Sequence, residues 1–304
     1  MHNLHGCYLH LPLLFRYFQK KNIPLVWTLH DCWPFTGHCA YFDYSQCKRW
    51  QTQCHTCPQQ KNYPVCIGLD GSKRNHRMKK KFFSLPKNLT FVAPCQWMTK
   101  HLQNSYLGHY PCKVIVNGVN FDAFHPVESD LRKRYQLEAK KICLAVAAEW
   151  DARKGLPYLL EAAEQLGPDY QFVVIGLSAE QVKVLPANII GIQSTANTEE
   201  LASWYTVADC LVNPTLEDNM PMVNLEALAC GTPVVMFETG GCPEALDESC
   251  GIVVQKGDSK ALCAAIKKAA SGLFKESDCL KRAELFDCKT TFQTYLTLYK
   301  ELRQ

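Results

Sequence analysis

From about residue 140 onward, short apolar runs alternate with segments whose apolar positions recur at helical spacing. The candidate strands are residues 142–147, 171–175, 188–192, 210–213, 233–237 and 251–254. The candidate helices are residues 156–165, 179–184, 198–208, 222–229, 241–246 and 259–271. Strands that alternate with helices form βαβ units, which need a parallel sheet covered on both faces. This pattern predicts a complete doubly wound α/β domain over residues 136–288.

The first 135 residues show a sparser pattern. Clear strands are expected only at residues 23–30, 89–93 and 113–116, with one helix at 11–19. Residues 32–77 have little apolar periodicity and are rich in Cys, Gln, Pro and aromatic residues, and an irregular insertion of this length indicates function or a local staple. We therefore expect residues 1–135 to form a partial N-terminal domain that carries this insertion.

The last segment has an apolar face made by Phe292, Tyr295, Leu296, Leu298 and Tyr299. An apolar helical face of this kind is expected to pack against another part of the protein. We expect residues 289–304 to form a helix that packs back on the N-terminal domain.

The composition of the chain excludes several classes of protein. The chain has 304 residues, of which 47% are hydrophobic and 20% charged, values that argue against disorder and suit two domains. A net charge of +4 is too small to indicate nucleic-acid binding. No apolar run is long enough to span a bilayer, and residues 1–6 do not have the basic and then apolar pattern expected of a leader. The expected location is therefore cytoplasmic.

Seventeen cysteines are unusual for such a chain. Ten lie in apolar or loop contexts and are expected to behave as small core residues. The others are Cys7 and six within residues 32–66. Four of these, Cys39, Cys47, Cys54 and Cys57, end in a Cys-x2-Cys motif and could form a tetrahedral zinc site. Reduced thiols without metal and disulfides are the alternatives, and Cys32, Cys66 and His38 are reserve ligands.

The densest chemical motif lies between residues 213 and 235. A predicted strand ends near Pro214, a turn carries Glu217, Asp218 and Asn219, and a helix opens near Pro221. A turn that leads into a helix N-terminus beyond a parallel strand is typical of phosphate sites. Acidic residues there would cap the helix or accept hydrogen bonds from sugar hydroxyls. The alternative is an ordinary N-cap.

This motif resembles that of retaining glycosyltransferases of the GT-B fold, the large family that includes sucrose synthases and bacterial mannosyl- and glucosyltransferases. Family members carry two acidic residues with seven between them, followed by a segment like Ala-Leu-Ala-Cys-Gly-Thr-Pro-Val-Val, which stands here at residues 227–235. The resemblance implies that Glu226 binds the donor ribose. The acidic residue that precedes Glu226 with seven residues between them is Asp218. Glu217 stands one position further away. The Glu-Asp-Asn-x-Pro variant is similar to that of capsular and exopolysaccharide enzymes.

Two further elements follow the same resemblance. Lys154 matches a lysine that holds the donor diphosphate, and Arg153 can add positive charge, whereas Glu149 stands near the place of the family's upstream arginine. His30, at the end of an apolar strand, matches a histidine that faces the donor sugar. A cysteine pattern like that of the insertion is found in one bacterial subgroup of this family.

The resemblance implies a GT-B-like chain of two doubly wound, Rossmann-like domains. It also implies transfer, with retention, from a UDP-, GDP- or ADP-sugar to a glycan or polyprenyl-diphosphate-linked acceptor, with no catalytic metal required. A silent nucleotide-sugar-binding or scaffolding protein, or a sugar-nucleotide epimerase, is the alternative. The basic run at residues 73–83 is a solvated face or a peripheral membrane contact at the inner face of the membrane.

The N-terminal domain is expected to be incomplete. The chain opens at His2-Asn3-Leu4-His5-Gly6, which resembles the middle of the family's first domain. We expect the first βαβ units and their glycine-rich loop to be missing.

Overall fold

A computed structural model describes residues 1–6, 8–66 and 68–303. Cys7, which was counted with the cysteines of the insertion, lies outside these residues. The chain forms two compact units: Met1–Val116 with Gln293–Gln304, and Asn117–Phe292. Both units are built from parallel strands and helices.

The first unit has a three-stranded parallel sheet in the order β1-β2-β3. Its elements are α1 (Leu11–Lys21), β1 (Leu25–Thr28), α2 (Ser72–Phe83), β2 (Leu89–Ala93), α3 (Gln96–Gln103) and β3 (Cys112–Val114). All five residues of β2 are buried, as expected for a central strand covered on both faces. Phe15 of α1 packs against Trp27 of β1 and Phe83 of α2, with ring centroids 5.7 and 4.5 Å away.

The second unit has six parallel strands in the order β6-β5-β4-β7-β8-β9. The strands are β4 (Lys141–Val146), β5 (Tyr170–Ile175), β6 (Ile189–Ile192), β7 (Cys210–Asn213), β8 (Val234–Phe237) and β9 (Gly251–Val254). Its helices are α4 (Leu131–Arg134), α5 (Leu156–Leu166), α6 (Ala179–Lys183), α7 (Thr198–Val207), α8 (Met222–Ala229), α9 (Ser259–Lys268) and α10 (Glu276–Ala283). Numbered from the first strand of the unit, this is the 3-2-1-4-5-6 order of doubly wound nucleotide-binding domains.

Hydrogen-bonded pairing is uneven across this sheet. β4 pairs with β5 over six residue positions, from Lys141 to Val146, whereas β4 pairs with β7 at only two, Cys143 with Cys210 and Leu144 with Leu211. These four residues are fully buried. The two cysteines therefore serve as small core residues, as their apolar contexts predict.

Helix starts in the second unit follow local capping chemistry. Ser178 and Gln181 form a reciprocal capping box on α6, and the side chains of Asn197 and Asp258 cap α7 and α9. The expected helix at 241–246 is a 3-10 helix, Cys242–Ala245, with Pro243 in its first turn. The helix expected at 259–271 is α-helical as far as Lys268. It then continues as a π-helical turn, in which Gly272 has a positive φ.

The C-terminal helix, α11 (Cys288–Glu301), contributes its later residues to the first unit. Leu298 is buried against Val92 of β2 and Ile115, and the Tyr295 and Thr28 hydroxyls are hydrogen-bonded at 3.1 Å. Glu301 forms an ion pair with Lys113. Only part of the predicted apolar face is packed, because Phe292, Leu296 and Tyr299 are exposed.

The division between the units differs from the expected boundary near residue 135. Residues 117–135 group with the second unit. The Asn117 side chain donates to the Met220 carbonyl at 3.0 Å, and Val119 bridges to Asp287. Arg132 donates to the Val207 carbonyl and pairs with Asp209 at 2.7 Å. These contacts hold residues 117–135 on the second unit.

The basic run at 73–83 lies in α2, and it is not a fully solvated face. His76 and Lys79 are buried, and Phe82 and Phe83 also point into the unit. The remaining basic side chains of the run are exposed, and the peripheral membrane contact stays a prediction. Across residues 1–6, 8–66 and 68–303, no helix is long and apolar enough to cross a membrane.

The packing of α11 can be tested by a pair of leucine substitutions. Leu298→Ala should lower the free energy of unfolding by about 2–4 kcal/mol, because Leu298 is 2% exposed and its removal leaves a cavity. Leu296→Ala, in the same helix but 50% exposed, is the matched control. Urea unfolding followed by tryptophan fluorescence measures both variants. Equal losses from the two variants would contradict the packing described here.

Candidate functional site

The candidate site lies at the switch point of the second sheet. β4 and β7 are neighbours, and the chain leaves them toward opposite edges of the sheet. Ligands of open α/β sheets bind at the carboxyl ends of strands at such a point. The two segments that begin there, residues 147–155 after β4 and 214–221 after β7, carry most of the residues that the sequence motifs predict.

Two glycines let the loops approach closely. Gly155, at φ +78°, lies so near the Pro214 carbonyl that a Cβ there would stand 2.1 Å from its oxygen. Gly240, at φ +56°, lies equally close to the Asp218 carbonyl, where a Cβ would stand 1.9 Å from the oxygen. Any larger residue would force these loops apart.

The approach brings the basic and acidic residues together. Lys154 Nζ lies 2.7 Å from Asp218 Oδ2, and Arg153 Nη1 lies 4.0 Å from Glu217 Oε2. Asp151 orients Arg153 through Nε at 3.0 Å and Nη2 at 2.7 Å. Sequence reasoning missed Asp151, although an acid two residues before a basic pair could have suggested this contact.

The acidic turn does not cap α8. The N-cap residue is Pro221, which makes no side-chain hydrogen bond to the helix. Glu217 and Asn219 are buried, and Gly241 donates to the Asn219 carbonyl at 2.8 Å. The ordinary N-cap interpretation is therefore wrong. Because proline offers no acceptor to the first-turn amides, the positive end of the helix remains suited to an anion.

Glu226 lies on α8 and is held by a tyrosine that sequence reasoning missed. The fully buried Tyr205 of α7 donates its hydroxyl to Glu226 Oε2 at 2.8 Å. Burial raises the pKa of Glu226, and the hydrogen bond from Tyr205 partly opposes this shift. Thr232 Oγ1 in turn donates to the Tyr205 carbonyl at 2.6 Å. Tyr205 belongs to an aromatic pair in a predicted helix, a pattern that by itself indicates only core packing.

His30 belongs to the first unit. It lies two residues beyond the end of β1, is exposed, and contacts the His2 ring nitrogen at 2.8 Å. Partial burial lowers its pKa, and the nearby Asp31 carboxylate opposes that shift. His30 thus stands at the carboxyl edge of its own sheet, favours the neutral imidazole, and could hydrogen-bond a sugar hydroxyl.

The cysteine-rich insertion packs around aromatic residues. Phe35, Phe42 and Trp50 are buried, and the centroids of the Phe42 and Trp50 rings are 4.7 Å apart. The irregular segment ends at Gly71, the N-cap residue of α2, earlier than the expected residue 77. The aromatic cluster therefore stabilises the insertion by packing. The sequence, which lacks apolar periodicity here, did not predict this cluster.

The four motif cysteines converge in this insertion. Cys39, Cys47, Cys54 and Cys57 line one small cavity. A hydrogen bond from Cys39 lowers the pKa of Cys57 to about 7, and the same contact with burial raises that of Cys39. No disulfide bond joins Cys39, Cys47, Cys54 and Cys57 to one another in the described part of the chain. Within the described ranges, no three or more Cys, His, Asp or Glu side chains are arranged to hold a metal ion, so zinc is not supported by the structure as it stands.

Comparison with known proteins agrees with this geometry. Residues 140–271 match the family model described as "Glycosyl transferases group 1". This segment of the chain, which holds β4 to β9, is therefore similar to group 1 glycosyltransferases. The chain is 29% identical over 264 residues to an Escherichia coli (strain K12) protein assigned to colanic acid biosynthesis as glycosyl transferase WcaC, covering 84% of this chain and 63% of that one. It is 30% identical over 167 residues to D-inositol 3-phosphate glycosyltransferase from Xylanimonas cellulosilytica, covering 49% and 40%.

Solved structures show the fold. Sucrose-phosphate synthase from Thermosynechococcus elongatus matches with a TM-score of 0.69 and 22% identity, over 91% of this chain and 67% of that one. Anabaena HepE in complex with UDP matches with a TM-score of 0.68 and 17% identity, over 94% and 77%. The chain therefore has the expected GT-B-like α/β fold. It spans less than two thirds of the length of the curated relatives described above.

The burial of Glu226 predicts a pH-dependent cost in stability. A carboxyl whose folded pKa is raised contributes stability at low pH that is lost as pH rises through the folded pKa. Since burial raises the pKa of Glu226 above 4.5, the native protein should lose this contribution as pH rises above that value. Glu226→Gln should remove the loss and be more stable than the native protein at pH 7.

Urea unfolding across pH 4 to 8, about the range set by carboxyl titration, measures this difference. Glu248→Gln is the control, because Glu248 is exposed and its substitution should leave the pH profile unchanged. If the free energy of unfolding changed with pH in the same way for the native and Glu226→Gln proteins, Glu226 would not destabilise the native protein at high pH.

Proposed function

We propose that this protein is a glycosyltransferase that moves a sugar, with retention of configuration, from a nucleotide-sugar donor to a glycan or polyprenyl-diphosphate-linked acceptor. The observation that carries the proposal is the Lys154–Asp218 pair at 2.7 Å, beside the N-terminal end of α8. These groups converge at the switch point of the sheet in the segment that matches the group 1 glycosyltransferase model.

Transfer from a nucleotide sugar releases a nucleoside diphosphate, so negative charge grows on the leaving oxygen in the transition state. Positive groups fixed in advance lower that barrier. Lys154 and Arg153 supply two such charges, and the α8 amides supply partial positive charge. In the protein without ligand, Asp218 and Asp151 hold the two basic side chains in place. A diphosphate then replaces Asp218 as the partner of Lys154.

Glu226 is suited to the ribose of the donor. A carboxylate can accept hydrogen bonds from both vicinal hydroxyls of a ribose. Tyr205 occupies Oε2 and fixes the rotamer of the side chain, so Oε1 is left to face the ligand. We assign ribose binding to Glu226 and positioning of that carboxyl to Tyr205. Glu217 and Asn219 support the turn from buried positions.

UDP is the best supported nucleotide. HepE, whose fold this chain shares, has been solved with UDP and with UDP-glucose. GDP- and ADP-sugars remain the other donor classes to test. The likeness to WcaC supports an acceptor in polysaccharide assembly. His30 is proposed to hold the donor sugar by hydrogen bonding.

Incubation of the protein with a panel of UDP-, GDP- and ADP-sugars distinguishes a glycosyltransferase from a scaffolding protein and from an epimerase. A transferase releases nucleoside diphosphate in the presence of an acceptor extract. A scaffold binds a nucleotide sugar without turnover, and an epimerase converts the sugar while the nucleotide sugar remains intact. Diphosphate release is the expected result, and either of the other outcomes would overturn the proposal.

Lys154→Ala should weaken binding of UDP by roughly 10- to 100-fold, because a charge-assisted contact of about 1.5–3 kcal/mol is lost. Uridine, which lacks the diphosphate, should bind both proteins alike. Lys260→Ala, at an exposed position of α9, is the control and should leave UDP binding intact. Calorimetry measures all three proteins, and unchanged UDP affinity in Lys154→Ala would place the diphosphate elsewhere.

A further inference from the structure

The two units of the chain carry opposite net charges. Residues 1–116 and 293–304, which form the first unit, contain seventeen Lys and Arg against four Asp and Glu. Residues 117–292, which form the second unit, contain sixteen Lys and Arg against twenty-five Asp and Glu. The small net charge of the whole chain therefore conceals a strongly basic first unit. An excess of positive charge of this size attracts anionic surfaces.

Two helices on one face of the first sheet carry nine of these seventeen basic residues. Phe15 of α1 and Phe83 of α2 both pack against Trp27 of β1, with ring centroids 5.7 and 5.1 Å away. Both helices therefore cover the same face of the sheet. Neither helix contains Asp or Glu, so neither can neutralise its charges with a carboxylate of its own. Eight of the nine basic side chains are exposed, namely Arg16, Lys20, Lys21, Lys73, Arg74, Arg77, Lys80 and Lys81.

The outer sides of the two helices meet at Phe82. This side chain of α2 is only 9% exposed, and one cation from each helix lies over its ring. Arg16 Cζ of α1 lies 5.2 Å from the ring centroid, and Lys81 Nζ of α2 lies 5.6 Å from it. Cations at these distances are attracted to the face of an aromatic ring. The exposed basic residues of α1 and α2 therefore belong to one continuous surface.

Exposed apolar side chains lie among the basic residues of α1. Leu13 and Tyr17 are 59% and 52% exposed, and a spacing of four residues makes them neighbours on one side of the helix. Arg16 and Lys20 follow them at a spacing of three and border the same side. Leu9, just before the helix, is 41% exposed. Apolar side chains bordered by lysine and arginine are typical of helices that lie in a membrane interface.

We propose that the outer face of α1 and α2 binds the surface of a membrane that contains anionic lipids. The basic side chains contact the phosphates of the headgroups, and Leu13 and Tyr17 enter the boundary between headgroups and acyl chains. The exposed apolar residues favour a membrane over a nucleic acid, because a nucleic acid offers phosphates but no apolar layer for Leu13. This surface is wider than residues 73–83. Because Phe82 and Phe83 are buried, α1 supplies the apolar groups that enter the membrane.

Co-sedimentation of the full chain with lipid vesicles tests the proposal and needs no sugar transfer. The protein should bind vesicles of phosphatidylcholine mixed with phosphatidylglycerol, and it should not bind vesicles of phosphatidylcholine alone. High salt should release it, because salt screens the attraction between charges. Equal binding to both kinds of vesicle, or no binding at low salt, would overturn the proposal. Tighter binding to a DNA duplex than to the mixed vesicles at the same salt concentration would also overturn it.

Charge substitutions locate the surface. Arg77→Gln combined with Lys80→Gln should weaken binding to the mixed vesicles roughly tenfold, because two contacts with headgroup phosphates are lost. Lys267→Gln combined with Lys268→Gln is the matched control, since it removes two exposed lysines from α9 of the second unit and should leave binding unchanged. Equal losses in the two double variants would show that the total charge of the chain, and not this surface, determines binding.

The entry of α1 into the membrane has its own test. Leu13→Ser should weaken binding to the mixed vesicles roughly tenfold, because the burial of one leucine side chain is lost. Leu285→Ser replaces a leucine of the second unit that is 62% exposed, and it should bind like the native protein. Native binding by Leu13→Ser would show that α1 stays outside the membrane and would overturn its part in the surface.

Discussion

The close approach of the loops at the carboxyl edge of the second sheet is the constraint on which the candidate site depends. Gly155 rests on the Pro214 carbonyl and Gly240 on that of Asp218, with no space for a side chain at either contact. Because three loops meet at these two points, a lysine from one strand end can reach an aspartate from another. The chemistry of the site is thus a consequence of backbone packing, and residue type alone would not create it.

Local sequence predicted the second unit well. Six strands and most helices lie within a residue or two of their expected positions, because a parallel sheet covered on both faces produces uninterrupted apolar runs. The family resemblance assigned both Lys154 and Asp218 to the donor site, and the two residues form an ion pair. Features set by contacts distant in sequence could not be read in this way. Tyr205 reaches Glu226 across 21 positions.

The first unit shows where sequence patterns mislead. The basic run looks solvated in sequence, yet its helical spacing turns His76, Lys79 and the two phenylalanines inward. The insertion lacks periodicity because its core consists of aromatic rings on irregular backbone, which period analysis does not detect. A buried lysine is rare enough that no pattern would predict one. Its explanation requires knowledge of which side chains surround it.

The uneven pairing of the second sheet has a mechanical consequence. Six register positions join β4 to β5, but only two join β4 to β7, and the candidate site lies directly beyond that seam. A seam with few cross-strand hydrogen bonds yields to shear at lower cost than the rest of the sheet. Strands on both sides of the seam contribute to one apolar core, so we expect any such displacement to be small. A displacement at this seam would change the width of the crevice in which the candidate site lies.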